Sequence, residues 1–135
     1  MRTEIATVRT KVLGTEAIRT LVDQDTTTFD GNVYPSKFNP DLADKDIKIA
    51  VYVSKEDELN RRNAHNILAV DVHVPLLWQN ETGIGLDIIE AVKTTLKSLK
   101  VGRGLKYENT LLEQDTAPGW WKSTILYWYN TAKSQ

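Results

Sequence analysis

Three side chains on one stretch of the sequence have types that can do chemistry: His65, Asp71 and His73. All three occupy odd-numbered positions of a predicted β-strand, so they point to the same face of that strand. Imidazole and carboxylate groups bind metals and carry protons, but a metal site needs at least three protein ligands. At the rise of a β-strand His65 lies roughly 20 Å from Asp71, which leaves two neighbours. We therefore expect this face to be polar, either solvated or facing another subunit, without a metal site.

Two glycines, Gly83 and Gly85, precede a predicted helix, and helix N-termini bind phosphate groups. The run around them lacks the Gly-Lys-Ser/Thr sequence of a phosphate-binding loop. It also lacks the third glycine of a dinucleotide-binding loop. The pair Gly102 and Gly104, beyond the helix, adds no such motif. We expect Gly85 to allow close packing at the start of the helix, and we expect no nucleotide cofactor.

A group of basic residues lies on this helix and just beyond it. A solvated helix face is the simpler interpretation, because helices in water carry charged residues on their outer side. The alternative is a positive patch that faces an acidic partner or passing DNA, where contacts with phosphates would depend strongly on salt. The residues are Lys93, Lys97, Lys100, Arg103 and Lys106.

Aromatic residues crowd a strand near the C-terminus, five of them within ten positions. Aromatic residues on strands usually pack in a core or across strands, but this number exceeds what one face can bury. Tryptophan and tyrosine are also enriched in protein interfaces, so we expect part of this strand to contact another subunit. Two arginines in a charged connection and two aromatic residues in a long loop complete the candidates. The full set is Trp120, Trp121, Tyr127, Trp128, Tyr129, Arg61, Arg62, Tyr34 and Phe38.

Length and composition limit the classes of protein that the chain can belong to. Its 135 residues suit one domain, 1–135, with a core of its own. It has no cysteine, which excludes disulfides, thiolate metal sites and a cysteine nucleophile. The net charge of −1 indicates no general affinity for nucleic acid or membranes. We expect no membrane span and no signal peptide, and therefore assembly in a cytoplasm.

The central elements predicted from periodicity are a strand and the helix that follows it. Even-numbered residues from Leu68 to Leu76 are apolar, which is typical of a strand with one buried face. After a predicted break at 78–81, Thr82 is the expected N-cap of a helix that runs to about Leu99. Gly102 is the expected stop signal. This helix is long enough to cover the apolar face of a small sheet.

The remaining elements surround this pair and define the fold class. We predict an α+β fold in the order α-α-loop-β-β-α-β-β, with helices on one face of a mostly antiparallel sheet of about four strands. The apolar middle of the last strand on both sides indicates that both of its faces are covered. The predicted elements are two short helices around Gly14, a loop at 26–46 with a brief strand at 33–34, and strands at 47–53, 105–112 and 120–131; a charged hairpin connection spans 54–63.

The chain as a whole resembles the tail-terminator (tail-completion) family of long-tailed bacteriophages. The resemblance covers nearly the whole chain, but as an order of elements and a size. It rests on Ala-Ile-Arg-Thr-Leu-Val-Asp-Gln at 17–24, Gly-Asn-Val-Tyr-Pro-Ser at 31–36, Ile-Leu-Ala-Val-Asp-Val-His-Val-Pro at 67–75 with the helix at 82–99, and the closing hairpin at 117–129.

The resemblance implies a structural role without catalysis and without a cofactor. Members of the family resemble one another as small α+β domains that close into a ring, usually of six subunits, on the head-proximal end of the tail tube. The ring stops tube polymerisation and offers a surface to the head. The implied partners are other copies of the chain, the major tail tube protein and the head–tail connector protein, with DNA passing through the lumen and no membrane. The implied location is the virion, assembled in the cytoplasm of a bacterial host.

Three other functions stay open at this point. The first is a neighbouring role in the same particle, as a head-completion or connector protein. The second is a small enzyme that uses Asp71 and His73. The third is a binding module of the same fold without a role in phages.

Overall fold

The structure is a computed structural model that describes residues 2–41, 44–58, 63–97, 99–101 and 104–132. Its described elements begin with three helices and three strands, followed by two helices and two strands. In chain order they are α1 (Thr3–Leu13), α2 (Glu16–Leu21), α3 (Thr26–Gly31), β1 (Val33–Tyr34), β2 (Lys48–Glu58), β3 (Asn63–Pro75), α4 (Leu76–Thr82), α5 (Ile84–Leu96), β4 (Lys106–Leu111) and β5 (Trp120–Ala132).

The described strands form one five-stranded sheet in the order β1-β2-β3-β5-β4. Only the two-residue β1 pairs in parallel, and the three other pairings are antiparallel. The predicted α+β class with a mostly antiparallel sheet is therefore confirmed. The fifth strand is the brief one predicted at 33–34. The register places Thr124 of β5 opposite Asp71 of β3, and their side chains form a hydrogen bond.

The helices pack on one face of the sheet, and the apolar core lies between them. The even-numbered residues of β3 face this core because successive side chains alternate along a strand. Ile88 and Leu96 of α5 are completely buried there, as are Val8 and Val12 of α1. We call this the helix-covered face. It corresponds to the apolar face predicted from alternation.

The start of the predicted central helix differs from the expectation. Thr82 is the last residue of α4, so its assignment as the N-cap was wrong. Gly83 separates the two helices with a φ of 65° in the left-handed region, where glycine has no steric penalty. The Thr82 hydroxyl donates a 2.7 Å hydrogen bond to the Trp78 carbonyl and accepts a 3.2 Å hydrogen bond from the Ile84 amide at the start of α5. Gly102, the expected stop, lies outside the described residues.

Two short helices occupy segments that were predicted without regular structure. The first turn of α3 interrupts the loop predicted at 26–46, because the Asp25 carboxylate accepts a 2.8 Å bond from the Thr28 amide. This cap lowers the pKa of Asp25. The predicted break at 78–81 lies inside α4, which continues directly from β3. No described helix is both long enough and apolar enough to cross a membrane.

Candidate functional site

The second face of the sheet, opposite the helices, carries the side chains that were singled out for chemistry. Asp71 and His73 lie there with exposed fractions of 2% and 1%. The expectation of a solvated or subunit-facing surface was wrong for these two residues. The segment 35–41 of the predicted loop folds across this end of the face, where Phe38 contacts His73, and Asp71 lies beside Thr124 and Lys122 of β5. We call this part of the second face, around Asp71 and His73, the loop-covered face.

Contacts of several kinds hold the segment 35–41 in place. The Phe38 ring stacks on Tyr34 at a centroid distance of 4.4 Å and meets His73 edge-on at 5.6 Å. The Trp120 indole donates a 3.0 Å hydrogen bond to the Asp41 carbonyl. Below the segment, the buried Lys48 donates a short hydrogen bond to Asn32. The contacts of Phe38 with His73 and of Asp41 with Trp120 join residues far apart in sequence, which is why no local pattern predicted them.

Asp71 is the centre of a buried hydrogen-bond network. Its carboxylate accepts a 2.6 Å bond from the Thr124 hydroxyl and lies 3.7 Å from the Lys122 ammonium. The Thr124 hydroxyl also lies 2.8 Å from the side-chain amide of Gln114. Burial first, and then the charge of Asp71, raise the pKa of the neighbouring Tyr52. The carboxylate is thus satisfied by groups of the chain itself, as buried charges must be.

His73 is buried in a neutral state. Neither ring nitrogen has a hydrogen-bond partner among the residues that the structure describes. The pKa of His73 is lowered to about 4, mainly by burial; the charge of Asp71 opposes this shift and that of Lys122 adds to it. The lysines Lys48 and Lys122 occupy the register positions on either side of it. A substrate in solution reaches neither His73 nor Asp71, so this cluster has the properties of a structural polar core.

His65 lies at the other end of β3, away from Asp71 and His73. Its ring stacks on Trp128 at 5.4 Å, and its Nδ1 lies 3.1 Å from the Asn130 side chain. Within the described part of the chain, no group of three or more histidine or acidic residues is arranged to bind a metal. The structure thus separates His65 from Asp71 and His73, and the His65 ring takes part in aromatic stacking.

Gly85 packs closely, as predicted from the sequence. A Cβ atom at this position would lie 2.3 Å from the Trp121 ring, so the indole occupies the space of the absent side chain. The Gly85 amide is already bonded to Oε1 of Gln79 at 2.6 Å. The amide therefore serves the junction between α4 and α5, which supports the packing interpretation over phosphate binding.

The predicted interface residues separate into buried and partly exposed sets. Four aromatic residues of β5 are buried within the chain: Trp120, Trp121, Tyr127 and Tyr129. Three others keep part of their surface exposed: Trp128, Tyr34 and Phe38. Arg61 and Arg62 lie outside the described residues. The contact of these side chains with another subunit stays a prediction.

The register adds neighbours to Trp128 that sequence reasoning missed. Ile67 lies directly opposite it on β3, and Leu126 lies two residues away on the same face of β5. With His65 they form a half-buried apolar strip on the second face of the sheet, beyond the loop-covered part. We call these four residues the Trp128 strip. The alternation of side chains along β3 and β5 predicts this strip only when the register between the two strands is known.

Comparisons with known proteins give a fold and no family. No family model matches this chain, and no curated protein matches it. Solved structures do match it. One of them is a chain of the "Virion of native gene transfer agent (GTA) particle", with a TM-score of 0.63 and 14% sequence identity over 96% of this chain and 94% of that chain. The two chains share their fold over nearly their whole lengths.

Proposed function

We propose that this protein is a structural component of a phage-like virion. The observation that carries the proposal is the shared fold with a chain of a gene transfer agent particle, which extends over nearly all of both chains. The buried state of Asp71 and His73 agrees with a role that needs no reaction centre. Partners would then be other proteins of the same particle.

Within that class, we propose the tail-terminator role that the sequence resemblance implies. Six copies would close into a ring on the head-proximal end of the tail tube, stop tube polymerisation and present a surface to the head–tail connector protein. A ring of identical subunits requires two different complementary patches on each subunit. The major tail tube protein would contact one end of the ring, and DNA would pass through the lumen.

The Trp128 strip is the first of the two patches in this proposal. Its apolar side chains are half-buried in the single chain, and Trp128 is of the type that dominates binding energy in interfaces. The second patch would be the segment with Tyr34 and Phe38, whose stacked rings are also partly exposed. Arg61 and Arg62 are further candidates from the sequence.

Native mass spectrometry and electron micrographs of the protein with purified tail tubes test the proposal. The protein should form rings, in solution or on tube ends, and tubes assembled in its presence should stop growing. Trp128→Ala should reduce ring formation by about tenfold or more, as loss of a central aromatic contact does in other interfaces. Leu77→Ala is the matched control, since Leu77 is 71% exposed and lies outside the strip.

Thermal unfolding of both variants separates lost assembly from lost folding. If Trp128→Ala folds normally and still forms rings as the parent does, the strip is not the subunit contact. If the unaltered protein neither forms rings nor binds tube ends, the tail-terminator role is wrong.

A head-completion or connector protein is the second candidate. The particle that contains the similar chain is a whole virion, so the fold likeness supports a position in its neck as well as in its tail. Binding to a purified portal ring, without binding to tail tubes, would favour this candidate.

A further inference from the structure

A groove lies between α5 and β4, on the far edge of the sheet from β1. Its volume is about 460 Å³, enough for one or two large side chains. Leu96, Leu105 and Tyr127 contribute apolar surface to it and are themselves buried. The groove is therefore open to solvent above an apolar floor.

The rim of this groove is positively charged. Lys93, Lys97 and Lys106 line it together with a single acidic residue, Glu90. The Glu90 carboxylate is 3.6 Å from Lys93. Among the described residues, Lys97 and Lys106 have no carboxylate within ion-pair distance. Because the chain as a whole carries a net charge of −1, this is a local concentration of positive charge.

A buried hydroxyl without a partner lies beside the apolar floor. The Tyr127 side chain is 2% exposed, and its hydroxyl has no hydrogen-bond partner among the described residues. A buried hydroxyl without a partner is costly, so an acceptor supplied by a ligand would recover free energy. Next to it, the exposed Tyr107 ring meets Tyr127 edge-on at 6.0 Å and lies under the Lys93 ammonium at 4.5 Å. Aromatic surface, cations and a free donor thus converge on one groove.

We propose that this groove binds an acidic peptide segment of a partner protein, with one apolar or aromatic side chain of the segment inserted between α5 and β4. Carboxylates on either side of the inserted side chain would pair with Lys97 and Lys106. The apolar floor favours a peptide over a nucleic-acid backbone, whose phosphates would meet only the rim. The proposal does not require a ring, because the groove shares no residue with the Trp128 strip, although Lys106 lies opposite Trp128 in the register of β4 and β5.

Fluorescence anisotropy with two labelled peptides tests the proposal. The first is a short peptide of glutamates and aspartates around one phenylalanine, and the second has lysine in place of each acidic residue. The full-length protein should bind the first peptide and not the second. The double variant K97E/K106E should weaken binding by about tenfold or more, since it replaces attraction with repulsion.

Two further variants make the result specific to the groove. K11E/K37E changes the net charge by the same amount at two exposed lysines that neither line the groove nor belong to the basic group around α5, and should change the affinity by less than about twofold. Tyr127→Phe should be at least as stable to heat as the parent, because it removes a buried hydroxyl that has no partner among the described residues, yet it should weaken binding by about threefold.

Four outcomes would overturn the proposal. They are no binding of the acidic peptide at millimolar concentration, equal binding of the lysine peptide, equal losses in the two double variants, and tighter binding of a single-stranded DNA oligonucleotide than of the peptide. Ring formation measured on the same samples keeps this result separate from the proposed function. A protein that binds the peptide but forms no ring retains the groove proposal alone.

Discussion

The two faces of the sheet are buried by different means. On the helix-covered face, apolar side chains of β3 and β5 meet apolar side chains of α1, α2 and α5. On the loop-covered face, an irregular segment covers a charged network around Asp71 and a neutral His73. The first face is stabilised by the burial of apolar surface, and a core of this kind accepts different apolar side chains of similar volume. The second depends on particular hydrogen bonds and charges, and its stability should therefore depend on pH.

This difference explains where each kind of change should act. A substitution on the helix-covered face should lower the free energy of unfolding equally at neutral and mildly acidic pH, because the buried core described there contains no histidine or carboxylate. A change on the loop-covered face should act locally on the segment 35–41 or only in a range of pH.

Ile88→Ala should have the largest effect. Ile88 is completely buried on α5, and removal of its side chain leaves a cavity that costs about 3–4 kcal/mol of unfolding free energy. Urea unfolding at pH 7 and at pH 5 should give the same loss. Leu86→Ala on the same helix is the control, because Leu86 is 49% exposed and should cost less than about 0.5 kcal/mol. Equal losses in the two variants would contradict the packing described for α5.

Acidification should destabilise the protein through His73. Its folded pKa of about 4 lies below the ordinary value of 6.5, so the unfolded chain binds the proton more readily. The contribution of neutral His73 to the free energy of unfolding is fully present above pH 6.5 and is lost as the pH falls towards 4. The largest loss from this one group is about 3 kcal/mol. Urea unfolding measured at intervals between pH 7 and pH 4 gives the slope of the unfolding free energy against pH.

His73→Leu isolates this contribution from that of the carboxylates, which also titrate in acid. The variant removes two buried nitrogens without partners among the described residues, so it should be at least as stable as the parent at pH 7. Its stability should fall less steeply between pH 6.5 and 4. An identical slope in the parent and the variant would show that His73 is not the group responsible.

The elements that the sequence predicted are those with a clear period. The alternation in β3, the apolar stripe of α5 and the strands β2, β4 and β5 follow from local spacing of side chains. The helices α3 and α4 escaped prediction because α3 buries only Phe29 and α4 buries no residue, so neither has the apolar spacing from which the equally short α2 was predicted. Their formation depends on the cap at Asp25 and on the junction at Gly83.

The surroundings of the candidate residues were harder to predict than the elements. Parity correctly placed Asp71 and His73 on one face, but solvent exposure depends on what covers that face. The cover is the segment 35–41, and the contact that fixes its end joins Asp41 to Trp120 across 79 positions of sequence. The number of aromatic residues on β5 likewise suggested an exposed aromatic surface, but other parts of the chain cover most of these side chains. Of that set Trp128 alone keeps a partly exposed ring.

Trp120 and Trp121 give the finest test of the contrast, since they are adjacent in β5 and point to opposite faces. Trp120→Phe removes the hydrogen bond to the Asp41 carbonyl, at a cost of about 1 kcal/mol. Its main effect should be faster hydrogen exchange of the amides in segment 35–41, because that bond holds the segment to the sheet. Trp121→Phe instead loosens the contact with Gly85 and should leave exchange in this segment unchanged. If both variants accelerated exchange there equally, the two faces would respond as one cooperative unit, and the separation between the helix-covered and the loop-covered face would be wrong.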